Sequence, residues 1–199
     1  MSALLAAASD APVTLGGVVH PVLCAHLGTI AQTIMASRPR DQQIDRHIEA
    51  GGAGDPLPYI ERWYLARKAM VPGNSPQGHF LDQVPLIPSE LENLYLHRYG
   101  RGDREEPHCH PWANATLVIS GSIAEDVWVD GVMIGNRRRF PGDVVLRQSY
   151  HVHAITAVSP GTITLFATLP KEREWGFHTE EGFIPWADFR AWKQAREAA

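Results

Sequence analysis

The sequence predicts a mostly β fold, an antiparallel barrel or sandwich with helices ahead of it and one short helix behind it. Three observations carry this reading. Between residues 93 and 169 the chain breaks into short, β-rich runs separated by turn residues. Helical apolar spacing is confined to the two ends. Four histidines of the strand-rich half stand as two alternating pairs, His108–His110 and His151–His153, a spacing that puts both members of a pair on one face of a strand.

Taken in order, Pro21 suits a first helical turn, and Leu23, Leu27, Ile30 and Ile34 follow at helical spacing before Pro39. A second short helix is expected from Asp41, stopping at Gly51-Gly52, and a third over residues 58–68. Val71 to Gly78, with two prolines and two glycines, reads as a connecting loop. Strands are expected over residues 93–99, 115–120, 123–129, 143–147, 151–158 and 162–169. Asp130-Gly131 lies between two apolar runs and predicts a hairpin turn. Many short strands with few helices between them imply an antiparallel barrel or sandwich. From Trp186 an amphipathic helix is expected, with Phe189, Trp192 and Arg196 close to one face. The expected layout is one domain: a helical segment over residues 1–78 packed on the barrel, the barrel over 79–185, and a helix over 186–199. The apolar stripe of the first segment is too narrow to make a core of its own.

The chain has 199 residues, 44% hydrophobic and 20% charged, with a net charge of −4, so nothing draws it to nucleic acid or an anionic membrane. Arg137-Arg138-Arg139 is too short for a nucleic-acid footprint and is expected to be a solvated turn. Cys24 and Cys109 fit no zinc or redox spacing, which points to a reducing compartment. The apolar stretch Met1 to Ser9 has no basic residue beside it (the first is Arg38), which argues against a secretory signal and for a cytoplasmic protein. No apolar run approaches the ~20 residues of a membrane span.

On strands, each histidine pair aims two imidazoles at one face, and Cys109 points away from His108 and His110. Imidazole suits Fe, Zn, Cu or Ni. A lone strand histidine is usually an ordinary hydrogen-bonded residue, but two alternating pairs favour a metal centre. On one further strand Ile123, Glu125, Val127 and Val129 share a face, and Ala124, Asp126 and Trp128 share the other. If the aliphatic face is interior, Glu125 is a buried carboxylate in need of a partner. It could work as a general acid or base, hold a ligand histidine in orientation, or sit at the strand mouth in water. Arg147 and Arg173 are each able to clamp a substrate carboxylate or to make an ordinary salt bridge. Tyr95, His97 and Tyr99 share the face of an early strand that could line a barrel. Trp112, Trp175 and Phe177 read first as packing residues. Asp103, Glu105 and Glu106 stand in the loop before His108 and could supply a late carboxylate ligand.

The order Gly102, His108-Cys-His110, Asn114, Gly121, with intervals of five, three and six residues, resembles the first motif of the cupin superfamily. Gly142-Asp-Val-Val-Leu-Arg147 resembles the start of the second. The resemblance covers roughly residues 93 to 169 and implies a jelly-roll barrel. Counting from Gly142 puts His153 at the position of the metal histidine in that motif. The usual Pro-x-Gly turn is replaced by Gln148-Ser149-Tyr150, and the late Asn by Ala157, so His151 stays in play as an extra ligand or a partner behind the ligands. Where cupins often place a fourth, glutamate ligand, this chain has Asn114 between Ala113 and Ala115. Three neutral imidazoles then resemble the iron centres of thiol dioxygenases and diketone-cleaving cupins. The Ser-x-His-x-Tyr relay of the thiol dioxygenases is missing from the stretch Phe166 to Pro170. His108-Cys-His110-Pro111-Trp112 and the run from Thr164 to Trp186 resemble a group of small three-histidine cupins.

The resemblance implies one divalent transition metal per chain, Fe(II) ahead of Zn, Mn, Ni or Cu. It implies a dioxygenase or hydroxylase acting with O2 on a small polar organic molecule, with Glu125 and Arg147 as the residues for proton handling and substrate anchoring. It also implies a homodimer, since cupin sheets often pair across an edge or swap strands. The alternatives are a non-catalytic ligand-binding or regulatory cupin and a Zn- or Mn-dependent isomerase or lyase.

Overall fold

The computed structural model describes residues 13–44, 59–67, 91–102 and 107–198. In chain order the elements are β1 (Val13–Val18), α1 (Pro21–Ser37), β2 (Gln42–Ile44), β3 (Ile60–Arg67), β4 (Asn93–Tyr99), β5 (Asn114–Ser120), β6 (Ile123–Val129), β7 (Val132–Arg139), β8 (Asp143–Arg147), β9 (Val152–Val158), β10 (Ile163–Thr168), β11 (Gly176–Thr179), β12 (Gly182–Pro185) and α2 (Trp186–Glu197). A seven-stranded sheet runs β1-β8-β5-β10-β4-β3-β2, a three-stranded sheet runs β7-β6-β9, and β11 and β12 form a hairpin. Every strand pairing is antiparallel. The mostly β, antiparallel architecture matches the sequence expectation. Among the described residues no helix is long and apolar enough to cross a membrane.

Two apolar clusters hold the layers. Tyr59, Ile60, Tyr99 and Val118 of the large sheet meet Ile123 and Ile155 of the small sheet between the layers. On the outer face of the large sheet, Trp63, Leu96, Ile119 and Ile163 pack against Ala31, Leu27, Ile34 and Met35 of α1. Each buried large apolar side chain of this kind contributes about 1.5–3 kcal/mol. Strand β6 alternates as its sequence requires, with Ile123, Glu125 and Val127 inside. Asp130 and Gly131 both adopt positive φ, 49° and 77°, and join β6 to β7 in a tight hairpin turn, as expected.

The structure corrects three expectations. Residues 60–67 form a strand, not a helix. Trp63 and Leu65 lie under α1 while Tyr64 packs on Tyr95. A strand covered on both faces shows a continuous apolar run without alternation, and such a run cannot be told from a buried helix by periodicity. Gln42–Ile44, expected to open a helix, pairs with β3 instead, and residues 45–52 lie outside the described residues. Arg137, Arg138 and Arg139 are not a turn but the end of β7, and Arg139 reaches inward to Glu125. Strands β1, β2 and β3 thus enter the large sheet ahead of residue 79, and α1 is the helix described in that part of the chain. The loop expected over 71–78 and the acidic residues Asp103, Glu105 and Glu106 lie outside the described residues.

Two motif glycines have a steric reason. A Cβ on Gly102 would lie 2.9 Å from the carbonyl oxygens of Ile155 and Thr156, so this chain crosses β9 at backbone contact. Gly121 has φ of +76°, and a Cβ there would lie 2.2 Å from Thr162 Oγ1. Gly131 has nearly the same φ but nothing within 4 Å of its Cβ position. The pair separates backbone strain from collision. Gly131→Ala is expected to cost about 1–2 kcal/mol, the left-handed penalty alone. Gly121→Ala is expected to cost at least about 3 kcal/mol, because a buried neighbour must also move. Urea denaturation of the two variants checks this; equal losses would show that Thr162 gives way freely.

Candidate metal centre and its cavity

Backbone pairing sets the site. His108 N donates to His153 O at 2.9 Å and His153 N donates to His108 O at 3.0 Å, so the two residues oppose each other and share a face. His108 is also bridged to Phe177 of β11. His110, two residues on, is anchored by its N–H to Ser149 O at 3.3 Å. Cys109 points the other way: it is fully buried, and its Sγ lies 3.7 Å from Gly176 O.

The structure brings His108, His110 and His153 together, with one ring nitrogen of each within 4.8 Å of the others. His110 Nε2 and His153 Nε2 are 3.0 Å apart. Two imidazole nitrogens each ~2.1 Å from one ion are separated by about 3.0 Å at a right angle and about 3.4 Å at the tetrahedral angle. The donor set therefore fits a single transition ion. All three histidines line a cavity of about 630 Å³ between the sheets, which also has walls from Tyr99, Phe166, Trp175, Phe177 and α2.

Behind His153 stands Glu125, fully buried on β6. Its Oε2 accepts from Arg147 Nη2 at 2.7 Å and lies 3.0 Å from His153 Nδ1, while its Oε1 accepts from Arg139 Nε at 3.1 Å. Burial alone pushes the Glu125 carboxyl up, but the Arg147 charge and the His153 contact outweigh it and hold the group well below the usual carboxylate range. An ionised carboxylate only accepts, so His153 donates through Nδ1 and turns the Nε2 lone pair toward His110. Glu125 does not itself line the cavity.

His151 is equally buried but does not line the cavity. It forms a second close group with Glu125 and His153. Burial first, then His153 and Arg147, pull its pKa down to about 2, so the ring is neutral. Neither of its ring nitrogens has a partner among the described residues. Asn114, which the resemblance places where cupins often have a glutamate, is 1% exposed and lines the cavity, with both amide atoms unpartnered among the described residues.

Of the two arginines singled out by sequence, Arg147 lines the cavity but is tied down, with Nη1 donating to Thr116 Oγ1 at 2.9 Å and Nη2 to Glu125. Arg173 lies on the surface with its Nε toward Glu174 O, away from the cavity. Tyr99 and His97 do line the cavity. Two features were missed. Arg62 donates through Nε to His97 Nε2 at 2.9 Å, a contact hidden while residues 58–68 are read as a helix. Trp186, Phe189, Arg190 and Lys193 of α2 line the cavity. Their i, i+3, i+4, i+7 spacing was available in the sequence. Trp186 stacks on Trp175 and Phe189 on Phe177, which fixes this helix beside His108.

Two predictions follow from this geometry. His153→Ala should abolish tight metal binding, whereas His151→Ala and Glu125→Gln should weaken it by about 10- to 100-fold through loss of orientation. Competitive chelator titration of folded protein reads the difference; near-normal affinity in His153→Ala would exclude it as a ligand. The second concerns His97, 2% exposed, whose pKa burial and then Arg62 hold well below the ordinary value. Below about pH 6.5 the unfolded chain takes up a proton there and the folded chain does not, so stability falls as pH falls, by at most about 1.4 kcal/mol per pH unit. Urea denaturation across this range should show a shallower fall for His97→Asn. Identical slopes would mean that the folded protein accommodates the charged ring.

No protein-family model and no curated protein sequence matches the chain. Solved structures do. One of the DMSP lyases RdDddP and RnDddQII aligns with 81% of this chain and 76% of its own, at 20% identity and a TM-score of 0.47. KdgF from Halomonas sp. aligns with 59% of this chain and 86% of its own, at 21% identity and a TM-score of 0.37. A cupin superfamily protein from Desulfitobacterium hafniense DCB-2 aligns with 42% and 70%, at 17% identity and a TM-score of 0.33. The chain's own strand order and paired histidines carry the conclusion that it is built as a cupin-type barrel.

Proposed function

We propose that this protein is a mononuclear metal-dependent cupin enzyme, an Fe(II) dioxygenase or hydroxylase acting on a small organic molecule. The observation that carries the reading is the convergence of three imidazole nitrogens on the wall of a 630 Å³ cavity that no Asp or Glu lines among the described residues. His108, His110 and His153 would hold the ion. Bound Fe(II) would supply a redox-active Lewis acid at which substrate and dioxygen meet.

The remaining residues divide the work. Glu125 fixes the tautomer and direction of His153. Arg147 and the contact with His153 keep Glu125 ionised, which withdraws it from proton transfer. The stacked aromatic residues of β11 and α2 cover one side of the cavity and limit water at the reacting atoms.

Elemental analysis of protein purified without added metal should find one transition metal per chain, absent from the His108→Ala/His110→Ala double variant. Anaerobic reconstitution with iron followed by an oxygen-uptake screen over small organic acids, alcohols and phenols tests the chemistry. Uptake restored by iron and not by zinc is the expected result. Stoichiometric zinc or manganese with turnover and no oxygen use would replace this reading with the lyase or isomerase one; ligand binding with no turnover would replace it with a regulatory role. No metal after reconstitution with Fe, Zn, Mn, Ni and Cu would sink it altogether.

A further inference from the structure

One aromatic ring away from the histidine trio lies a second polar group that the metal chemistry leaves unused. Phe166 packs on His110 with ring centroids 6.3 Å apart, and its ring stacks on His97 at 5.2 Å. His97 of β4 is directly opposed to Arg62 of β3 in the strand register. Arg62 Nε donates to His97 Nε2, so the imidazole proton resides on Nδ1. That Nδ1–H is buried in a residue that lines the cavity and has no partner among the described residues. A buried donor left without an acceptor is costly, and a ligand acceptor relieves that cost.

The same bias runs round the cavity. Other buried polar atoms of its lining without a partner among the described residues include Trp112 Nε1, Arg147 Nε and the two amide atoms of Asn114. With His97 Nδ1 this makes four donors and one acceptor. The charged residues of the described lining are Arg62, Arg147, Arg190 and Lys193, with no Asp or Glu. Arg62 is met by His97, by Gln42 Oε1 at 3.2 Å and by the face of Tyr95, and no carboxylate pairs with it among the described residues. A wall rich in donors and positive charge, with aromatic sides, complements an acceptor-rich anion with an apolar body.

We propose that the cavity takes an organic carboxylate, and that Arg62 and His97 form the polar end that selects it, with the apolar body lying along Phe166 toward His108, His110 and His153. One guanidinium and one neutral imidazole suit the single negative charge of a carboxylate better than the higher charge of a phosphate. The inference rests on reading this cavity as the substrate pocket. It does not depend on which metal the trio holds. Arg62 and His97 act here as specificity-determining residues, and Arg62 also positions His97 by fixing its tautomer.

The test compares benzoate, phenylacetate and cinnamate, each against its primary amide, by isothermal titration. It uses chelator-stripped protein, in which a carboxylate has no metal to bind, and then metal-loaded protein. At least one acid should bind about tenfold tighter than its amide in the stripped protein, as expected for one charge-assisted contact. Arg62→Gln should collapse that ratio to within about twofold, and Arg62→Lys should keep part of it. His97→Asn, which keeps an N–H donor near the Nδ1 position, should keep part, and His97→Phe should lose it. The acid-to-amide ratio within one variant is insensitive to the folded fraction, and metal content measured alongside should not change. No preference for any acid in the stripped wild type, or a ratio that survives Arg62→Gln, overturns the proposal. A protein that discriminates acid from amide but never holds metal keeps this inference and loses the metal reading.

Discussion

The site depends on one fully buried carboxylate. Glu125 stands on the small sheet and receives Arg147 from the large sheet, Arg139 from β7 and His153 from β9. It is therefore a polar tie between two layers that also meet through apolar contacts. Taking one carboxylate and two guanidinium groups out of water is expensive, and a well-packed apolar substitute would often be as stable. Removing one partner is different: it strands a buried charge, at a cost of about 3–5 kcal/mol. What the arrangement supplies beyond stability is direction. An ionised Glu125 leaves His153 one tautomer, and that tautomer presents an imidazole lone pair to the cavity.

The two members of the second histidine pair illustrate how strand register turns similar residues to different ends. His153 is opposed to His108 by two reciprocal backbone bonds and so faces the cavity beside it. His151 lies just before β9, is as deeply buried, and sits against Glu125 and His153 without reaching the cavity lining. Its ring is kept neutral first by burial and then by His153, Arg147 and Arg139, which together outweigh the opposing charge of Glu125. His151 adds bulk behind the trio rather than charge.

Much of this was legible from period and spacing. The alternation of Ile123, Glu125 and Val127 put Glu125 on one face with the two aliphatic residues but left open whether it was buried or at the strand mouth, and the two His pairs pointed to a metal centre. Counting from Gly142 on the resemblance to the second cupin motif favoured His153 and left His151 open; the structure groups His153 with His108 and His110, and His151 with Glu125 and His153. What escaped detection did so for physical reasons. β3 lacks alternation because α1 covers one face and the barrel the other, and with β3 went Arg62 and its contact to His97. β7 ends in three arginines, which a reading by charge assigns to solvent. Only a strand register with Arg139 opposite Ile123 carries its side chain toward Glu125. For Arg147 the sequence offered a substrate clamp or a salt bridge; the structure shows the salt bridge, to Glu125, together with a hydrogen bond to Thr116.

The electrostatics of the cavity tie these features into one argument. Three imidazoles would bring no counter-charge to a divalent cation, and among the described residues no Asp or Glu lines the cavity beside them. Glu125 is outnumbered by its two arginines, so that cluster adds net positive charge rather than removing it. Arg62 adds more from β3. In an aqueous cleft such an excess would be screened within a Debye length of roughly 8–10 Å. Between two sheets, with aromatic side chains over one wall, screening is weaker and the excess acts on whatever enters. Under the proposed reading a negative ligand would offset that excess, and its binding and that of a metal ion would favour each other. By linkage, a metal that binds more tightly with an anion present also raises the affinity for that anion by the same factor. Among the described residues no carboxylate lines the cavity beside the three histidines, and under the proposed reading a carboxylate ligand would supply that charge.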